Sequence, residues 1–494
     1  MIKKLDDWLN SMTMYRLVLY ALGVLAGVTL LFSALGTLNY GFFTLLGSFV
    51  LVTGLSFLTN IVLAKMYRLP VNQESSLITG LILFFIVVPP SDQAGWLALV
   101  VAAVASIASK YVITWRRASL LNPAAAGALV LSLTKLGSAG WWIASEPMFI
   151  FTLAASLLII RKTRRFTMAF SFMLPALVLT IYWLMHGVGG TAFTEAFKMA
   201  LMSYPIIFLA GFMLTEPSSM PQTASKRIMF GMVVGLLFGS HIKLGILTMT
   251  PHAALVVGNL FAFAISTRAT VRLKLLQKRE IAPNIYDFIF EPLEKFRFSA
   301  GQYMEWTVPG VKIDSRGNRR TFTMASSPRE KYVRLGFKTY TPSSNYKAKL
   351  LQLEAGDIVI GSHVEGDFVL PHSTRQKLIF IAGGIGVTPF RSHIADMILK
   401  KEKRDITLYY QAKNEAEIVY TDIWEAAKKL GVKFVPITDR SQVSESLLKK
   451  HSPHLLDSMI YLSGPPGMIH DYKHLLKKAG VKKHRIHTDY FSGY

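Results

Sequence analysis

The chain has 494 residues, no cysteine and a formal net charge of +24, from 54 Lys and Arg against 30 Asp and Glu. The length allows two or three domains, and the absence of cysteine excludes disulfides, thiolate-bound iron–sulfur clusters and thiolate zinc sites. Residues 1–269 hold 7 acidic and 18 basic residues, so 11 of the 24 surplus charges lie between long apolar runs, the pattern of membrane topology and not of a nucleic-acid surface.

No cleavable leader is expected, because Arg16 leads into an apolar stretch long enough to span a bilayer. A spanning helix needs about 20 mainly apolar residues. Ten are predicted, at about 15–36, 42–64, 74–89, 95–113, 121–137, 146–160, 166–186, 197–215, 228–247 and 251–267. Alternate connections are basic: Lys3/Lys4, Lys65/Arg68, Lys110/Arg116/Arg117, Arg161/Lys162/Arg164/Arg165, Lys226/Arg227 and Arg268. By the positive-inside rule these face the cytoplasm. Both termini are then cytoplasmic, in a multi-pass protein of the inner (cytoplasmic) membrane. Polar and helix-breaking residues interrupt the apolar runs at Asn72-Gln73-Glu74, Asn122-Pro123, Thr215-Glu216-Pro217-Ser218-Ser219 and Pro251-His252. They read either as broken helices lining a cavity or as ordinary caps at the interface. Glu74-Ser-Ser echoes Glu216-Pro-Ser-Ser, and Asn122-Pro-Ala echoes Pro251-His-Ala, as an inverted repeat would.

The stretches VNQESSLITGLILFFIVVPP, LLNPAAAG and FMLTEPSSMPQT make this half resemble the NqrB/RnfD family, membrane components of the sodium-translocating NADH:quinone reductase and of the Rnf complex. The resemblance implies two inverted five-helix repeats with a second flavin, FMN or riboflavin, in the membrane domain. That family attaches FMN to a Thr in an outer loop. The loop here, His186-Gly-Val-Gly-Gly-Thr191-Ala-Phe-Thr194, holds a Thr without the surrounding motif. Thr191 is therefore a weak candidate for attachment, and a non-covalent flavin is the preferred expectation.

From Thr270 the pattern changes to short alternating runs, such as Val271-Arg-Leu-Lys-Leu and Tyr286-Asp-Phe-Ile-Phe, read as strands of a small barrel. Within Arg319-Arg320-Thr321-Phe322-Thr323, the planar fork of Arg320 suits a diphosphate. Phe322 suits a flat ring, and the hydroxyls of Thr321 and Thr323 suit a flavin edge. Thr341-Pro-Ser-Ser344 reads as a turn whose Ser344 caps a helix near phosphate. Leu378-Ile-Phe-Ile-Ala-Gly383-Gly384-Ile-Gly386-Val-Thr388-Pro389 runs from a buried strand through a Gly-rich turn into a helix, where backbone can approach a pyrophosphate. Ser463-Gly464-Pro465-Pro466-Gly467-Met468 ends a later strand, and open α/β sheets bind ligands outside such ends.

In order, these motifs resemble the ferredoxin–NADP reductase superfamily across 268–494. The resemblance implies FAD on Arg320, Phe322, Thr323 and Ser344, with NADH or NADPH on Gly383, Gly384, Gly386, Thr388, Pro389, Gly464, Pro465 and Met468. It implies catalytic roles for Thr323, for Ser463 where many relatives carry Cys, and for Phe491 over the flavin face. The expected architecture is a ten-helix membrane domain (1–267), a β-barrel FAD domain (268–373) and an α/β nucleotide-binding domain (374–494). The expected activity is hydride transfer from NAD(P)H to FAD, then electron transfer to a quinone or an extracytosolic flavoprotein. Lys413 favours a 2′-phosphate and Glu415 or Glu417 opposes one, with a slight lean to NADH. Two rivals are a redox-gated ion transporter using Glu74, Glu216 and Lys243, and a haem-linked reductase using His186, His241 and His252.

Overall fold

The computed structural model describes residues 5–6, 8–9, 12–67, 73–115, 118–187, 190–244, 247–266, 270–311, 319–340, 343–439 and 443–489. Lys3, Lys4, Arg68, Asn72, Arg116, Arg117, Arg268, Thr341 and Phe491 fall outside these residues. The chain divides into two compact units, 1–268 and 269–491.

In the first unit the apolar runs wind into helices, which satisfy their own backbone groups. They are α1 (Met14–Ala34), α2 (Phe42–Met66), α3 (Gln73–Ile86), α4 (Gln93–Val112), α5 (Pro123–Thr134), α6 (Phe149–Thr163), α7 (Phe166–His186) and α8 (Phe193–Met202). After these come α9 (Ile206–Phe208), which continues into a π-helical turn at Leu209–Met213, then α10 (Ala224–Ser240) and α11 (Pro251–Ile265). One sequence of elements occurs twice. Helix α4, a two-strand hairpin (β1 Thr114–Trp115, β2 Ala118–Ser119) and Pro-headed α5 are matched by α10, a hairpin (β3 Lys243–Leu244, β4 Leu247–Thr248) and Pro-headed α11.

The expectation of ten spanning helices is overturned. Among the described residues only α1, α2, α4 and α7 are long and apolar enough to cross a membrane. A fifth span results if α8 and the segment Ile206–Met213, which meet at a 42° bend, are one. The same residues that suggested caps or breaks shorten the others. Asn122 and Pro123 start α5 and left-handed Lys135 ends it, leaving 12 residues, while Thr250 and Pro251 start a 15-residue α11. At 1.5 Å per residue, helices of that length rise only about 18–23 Å, short of the roughly 30 Å hydrocarbon core.

Small residues bring these helices close. A Cβ on Gly231, Gly235 or Gly239 of α10 would lie 2.3–2.5 Å from Ser171 Oγ, the Phe172 carbonyl oxygen or Leu179 Cβ of α7. This i, i+4, i+8 stripe is how apolar helices pack where no hydrophobic force drives them together.

The second unit holds two sheets. The first has six antiparallel strands in the order β8-β7-β10-β5-β6-β9. These are β5 (Val271–Ala282), β6 (Ile285–Pro292), β7 (Tyr303–Thr307), β8 (Arg319–Thr323), β9 (Val333–Lys338) and β10 (Ile358–Glu365). The expected closed barrel is also corrected. Among the described residues the edge strands β8 and β9 share one bridge, Met324 to Leu335, just beyond β8, with one further backbone bond from the Ala325 N–H to the Arg334 carbonyl (2.9 Å). Pro328, which has no N–H to pair, stands four residues after Met324. Alternation along the strands buries Leu273, Leu275, Phe288, Phe290, Met304 and Trp306 on one face.

The second sheet is parallel, in the order β13-β12-β11-β14-β15. Its strands are β11 (Leu378–Gly383), β12 (Ile406–Gln411), β13 (Val432–Ile437), β14 (Met459–Ser463) and β15 (Ile486–Thr488). Helices connect them, as parallel strands require: α13 (Thr388–Lys400), α14 (Thr421–Ala427), α15 (Glu445–His451) and α16 (Pro466–Lys478). Helix α12 (Asn345–Leu351) belongs to the first sheet's half. Strand β11 is central and buried at every residue, so its end presents the Gly-rich turn in the middle of the sheet edge.

Candidate functional site

At the end of β11 the chain enters a tight turn, Gly384–Val387, and then α13. Gly384 has φ +52°, in the left-handed region that favours glycine. A Cβ at Gly386 would lie 2.6 Å from Gly464 Cα and from the Ser463 carbonyl oxygen. A Cβ at Gly383 would meet Met468 Sδ at 2.3 Å. The turn after β11 and the turn after β14 are thus pressed backbone to backbone. That brings Gly383, Gly386, Ser463, Gly464 and Met468 together, with Pro465 exposed at the rim. Thr388 Oγ1 donates to the Ile385 carbonyl (3.2 Å), and Pro389 is buried in the first turn of α13.

On the first sheet, Arg320 is buried, donates to the Arg319 carbonyl (2.8 Å) and lies 5.0 Å from the Tyr346 ring centre. Phe322 packs beside Tyr346 and Phe337. Ser344 caps α12, its hydroxyl accepting from the Lys347 N–H (3.3 Å). Thr321 stands opposite Glu305 across β7 and β8. Burial works to raise the Glu305 carboxyl, but Arg319 and His363 outweigh it and hold it at about 2.

The two sheets meet at a carboxylate that sequence reading missed. Thr323 Oγ1 donates to Asp489 Oδ2 (3.4 Å), and Ser463 Oγ donates to the same oxygen (3.3 Å). The Asp489 N–H donates to the Leu462 carbonyl (3.0 Å), which lays this segment beside β14. Thr323 and Ser463 are both buried. The available signal was an acid directly before the C-terminal aromatic pair, where only the aromatics drew notice. Of the residues after β12, Lys413 and Glu415 are exposed, while Glu417 accepts from Lys338 Nζ at 2.7 Å.

In the first unit, three polar motifs far apart in sequence converge. The Asn122 backbone N–H donates to Asn259 Oδ1 (2.8 Å), its side-chain Nδ2 to Glu216 Oε2 (2.6 Å), and Asn259 Nδ2 to the Ser219 carbonyl (3.1 Å). Glu74 pairs with Arg16 at 3.1 Å, and Lys243 is exposed on β3. The histidines have separate engagements. His241 stacks on Trp183 (4.1 Å), His186 lies against Tyr182, and His252 Nε2 sits 2.9 and 2.8 Å from Ser132 and Thr250 hydroxyls. Thr191 lies in the loop between α7 and α8.

Residues 380–474 match the family model described as an oxidoreductase NAD-binding domain. The chain is 25% identical over 210 residues to the terephthalate 1,2-dioxygenase reductase component 1 of Comamonas sp, covering 40% of this chain and 61% of that protein. It is 27% identical over 235 residues to a flavohemoprotein of Bacillus subtilis, covering 44% and 58%. It is 29% identical over 202 residues to one of the subunits of the Na(+)-translocating NADH-quinone reductase of Pasteurella multocida, covering 35% and 49%. The chain spans between half and about three fifths of the length of these curated relatives. Its second unit is an NAD(P)H-dependent FAD oxidoreductase module, fused to a multi-pass membrane unit that has, among the described residues, four helices long and apolar enough to span.

Proposed function

We propose that the chain is a membrane-bound oxidoreductase that takes hydride from NAD(P)H onto FAD in the second unit and passes the electrons, through the membrane unit, to a quinone or an extracytosolic acceptor. The observation that carries the reading is the convergence of Thr323, from the flavin-side strand, and Ser463, from the nucleotide-side sheet, on Asp489. The names of the relatives support it, since they include a reductase component and part of an NADH-quinone reductase.

The residues fit both groups. A Cβ at Gly383 or Gly386 would collide with Met468 or with the Gly464 backbone, whereas one at Gly384 would meet nothing within 4 Å, so the turn is open at Gly384, where its backbone leads into a helix N-terminus that favours an anion. Gly383, Gly384, Gly386, Thr388, Gly464 and Pro465 would hold the nucleotide, and Arg320, Phe322, Thr323 and Ser344 the FAD. Bound there, FAD supplies the acceptor for the hydride that a reduced nicotinamide releases. With their protons directed to Asp489, Thr323 and Ser463 keep oxygen lone pairs that can accept from an N–H edge of a bound ligand. The acceptor side rests on the membrane unit alone, where a second flavin would make it a relay.

The test is anaerobic mixing of purified protein with NADH or NADPH, with a count of flavin per chain before and after denaturation. Bleaching of FAD, together with a second flavin and reduced quinone in proteoliposomes, is expected. Failure to bleach with either nucleotide would refute the reading. Bleaching with one flavin per chain and no quinone reduction would remove the relay.

A further inference from the structure

Five residues from separate parts of the second unit close a ring at the seam between its two sheets. Asp287 of β6 accepts from Arg334 Nη1 of β9 at 2.6 Å and from the Tyr420 hydroxyl at 3.1 Å. Arg334 lies 3.7 Å from Glu330. Glu330 takes a two-pronged contact from Arg391 of α13, at 2.5 and 2.9 Å. The Arg391 guanidinium sits 5.7 Å from the Tyr420 ring centre, which completes the circuit. Two Arg and two carboxylates balance, so the buried Asp287 and Arg391 are each compensated by a half-buried partner, Arg334 and Glu330. Arg391 Nη1 also donates to the Ala325 carbonyl at 2.9 Å.

The ring is close to both half-sites. Ala325 is two residues past Thr323 at the end of β8, and Arg391 is three residues past Thr388, where the Gly-rich turn becomes a helix. Tyr420 is held at φ +59°, a strained setting for a bulky side chain that persists only where its surroundings impose it. Gly336 of β9 makes room for it. A Cβ there would lie 2.8 Å from the Tyr420 hydroxyl and 2.7 Å from Thr388 Cγ2. Ser392 Oγ donates to the Ser326 carbonyl (2.6 Å) and Ser327 Oγ to Asp396 (2.8 Å), which stitches the same two segments alongside.

We propose that this ring, Asp287, Arg334, Glu330, Arg391 and Tyr420, sets the spacing between the flavin-side strand and the nucleotide-side turn, and that its members are positioning residues for hydride transfer. The inference rests on the proposed NAD(P)H-to-FAD reaction. No member is a ligand to either cofactor in that assignment; each acts through Ala325 or through Thr388. Burial, with Asp287 beside it, holds the Tyr420 phenol well above its usual range, so it stays a donor to that carboxylate.

The experiment uses the full-length protein loaded with FAD, with Tyr420→Phe, Asp287→Asn, the double variant and Gly336→Ala. Four quantities are read: FAD per chain, the rate of flavin bleaching at saturating NADH, the long-wavelength absorbance of a stacked nicotinamide–flavin pair, and amide exchange over 325–330 and 388–396 before nucleotide is added. Tyr420→Phe is expected to keep its FAD, slow bleaching about tenfold, weaken the long-wavelength band and speed exchange in both segments. The double variant is expected to fall no further than Asp287→Asn alone, because both break one circuit. Gly336→Ala keeps every polar group and wedges the seam, so it should reproduce the loss even if Asp287→Asn does not fold. A rate within twofold of wild type at full FAD content, a loss that only tracks missing FAD, or multiplicative effects in the double variant would overturn the proposal. A wild-type protein that NADH and NADPH both fail to bleach would instead overturn the underlying reaction, and the ring's role with it.

Discussion

Gly386 and Asp489 mark two kinds of residue at the site. The role of Gly386 is local, because the turn needs backbone without a side chain and a Cβ would lie 2.6 Å from Gly464 Cα. Gly386→Ala should weaken NADH binding by about tenfold or more while FAD stays bound, read by titration against flavin retention. The role of Asp489 is assembled in space. Its partners Thr323 and Ser463 stand 166 and 26 positions away. Removing the carboxylate frees both hydroxyl rotors, so Asp489→Ala should slow bleaching about tenfold with little change in NADH affinity. A Gly-rich turn is written in consecutive letters, and such a convergence is not. For the same reason Thr323 and Ser463 were legible as candidates while the acid that joins them was not.

At the scale of elements, α13 and β7 each hide a titratable group. Burial in α13 lowers His393 to about 3, and Glu305 in β7 is held at about 2 against an ordinary carboxylate value. Both folded values lie below the unfolded ones. The stability they contribute is therefore present above the unfolded values and lost as pH falls, from about 6.5 toward 3 for His393 and from about 4.5 toward 2 for Glu305. Each proton taken up by the unfolded chain alone costs about 1.4 kcal/mol per pH unit. Melting followed from pH 7 to 4 should show a falling midpoint for the FAD-containing unit, and His393→Gln should flatten the upper part of that slope. A slope unchanged by His393→Gln would assign the effect elsewhere. The elements also show why ten spans were expected and four to five are found among the described residues. Apolar content was legible, but length was set by local stops. Asn122-Pro123, left-handed Lys135 and Thr250-Pro251 cut the helices short, and the break at Ser203-Tyr204-Pro205 bends another.

For the whole molecule, the alternation of basic loops expects a definite orientation in the bilayer, and the cysteine-free chain makes it testable. A single Thr194→Cys, exposed at the start of α8 and preceded by four spans (α1, α2, α4 and α7), should lie on the side of the N-terminus and be protected from an impermeant maleimide in intact cells. A single Lys477→Cys, exposed on α16, should react only after the membrane is opened. Labelling of both positions from outside intact cells would invert the orientation expected from the basic loops.

The sequence by itself determined that the chain is part membrane-embedded and part nucleotide-binding, because apolar runs, loop charge and Gly-rich turns act over short stretches of chain. Only the tertiary structure decided the rest: that the edges of the six-stranded sheet share one bridge among the described residues, that Asn122, Glu216 and Asn259 meet, and that Asp489 and the Asp287–Tyr420 ring tie the two sheets together. These depend on contacts between residues tens to hundreds of positions apart. Their energies exist only once the chain has folded, so no local pattern in the sequence records them.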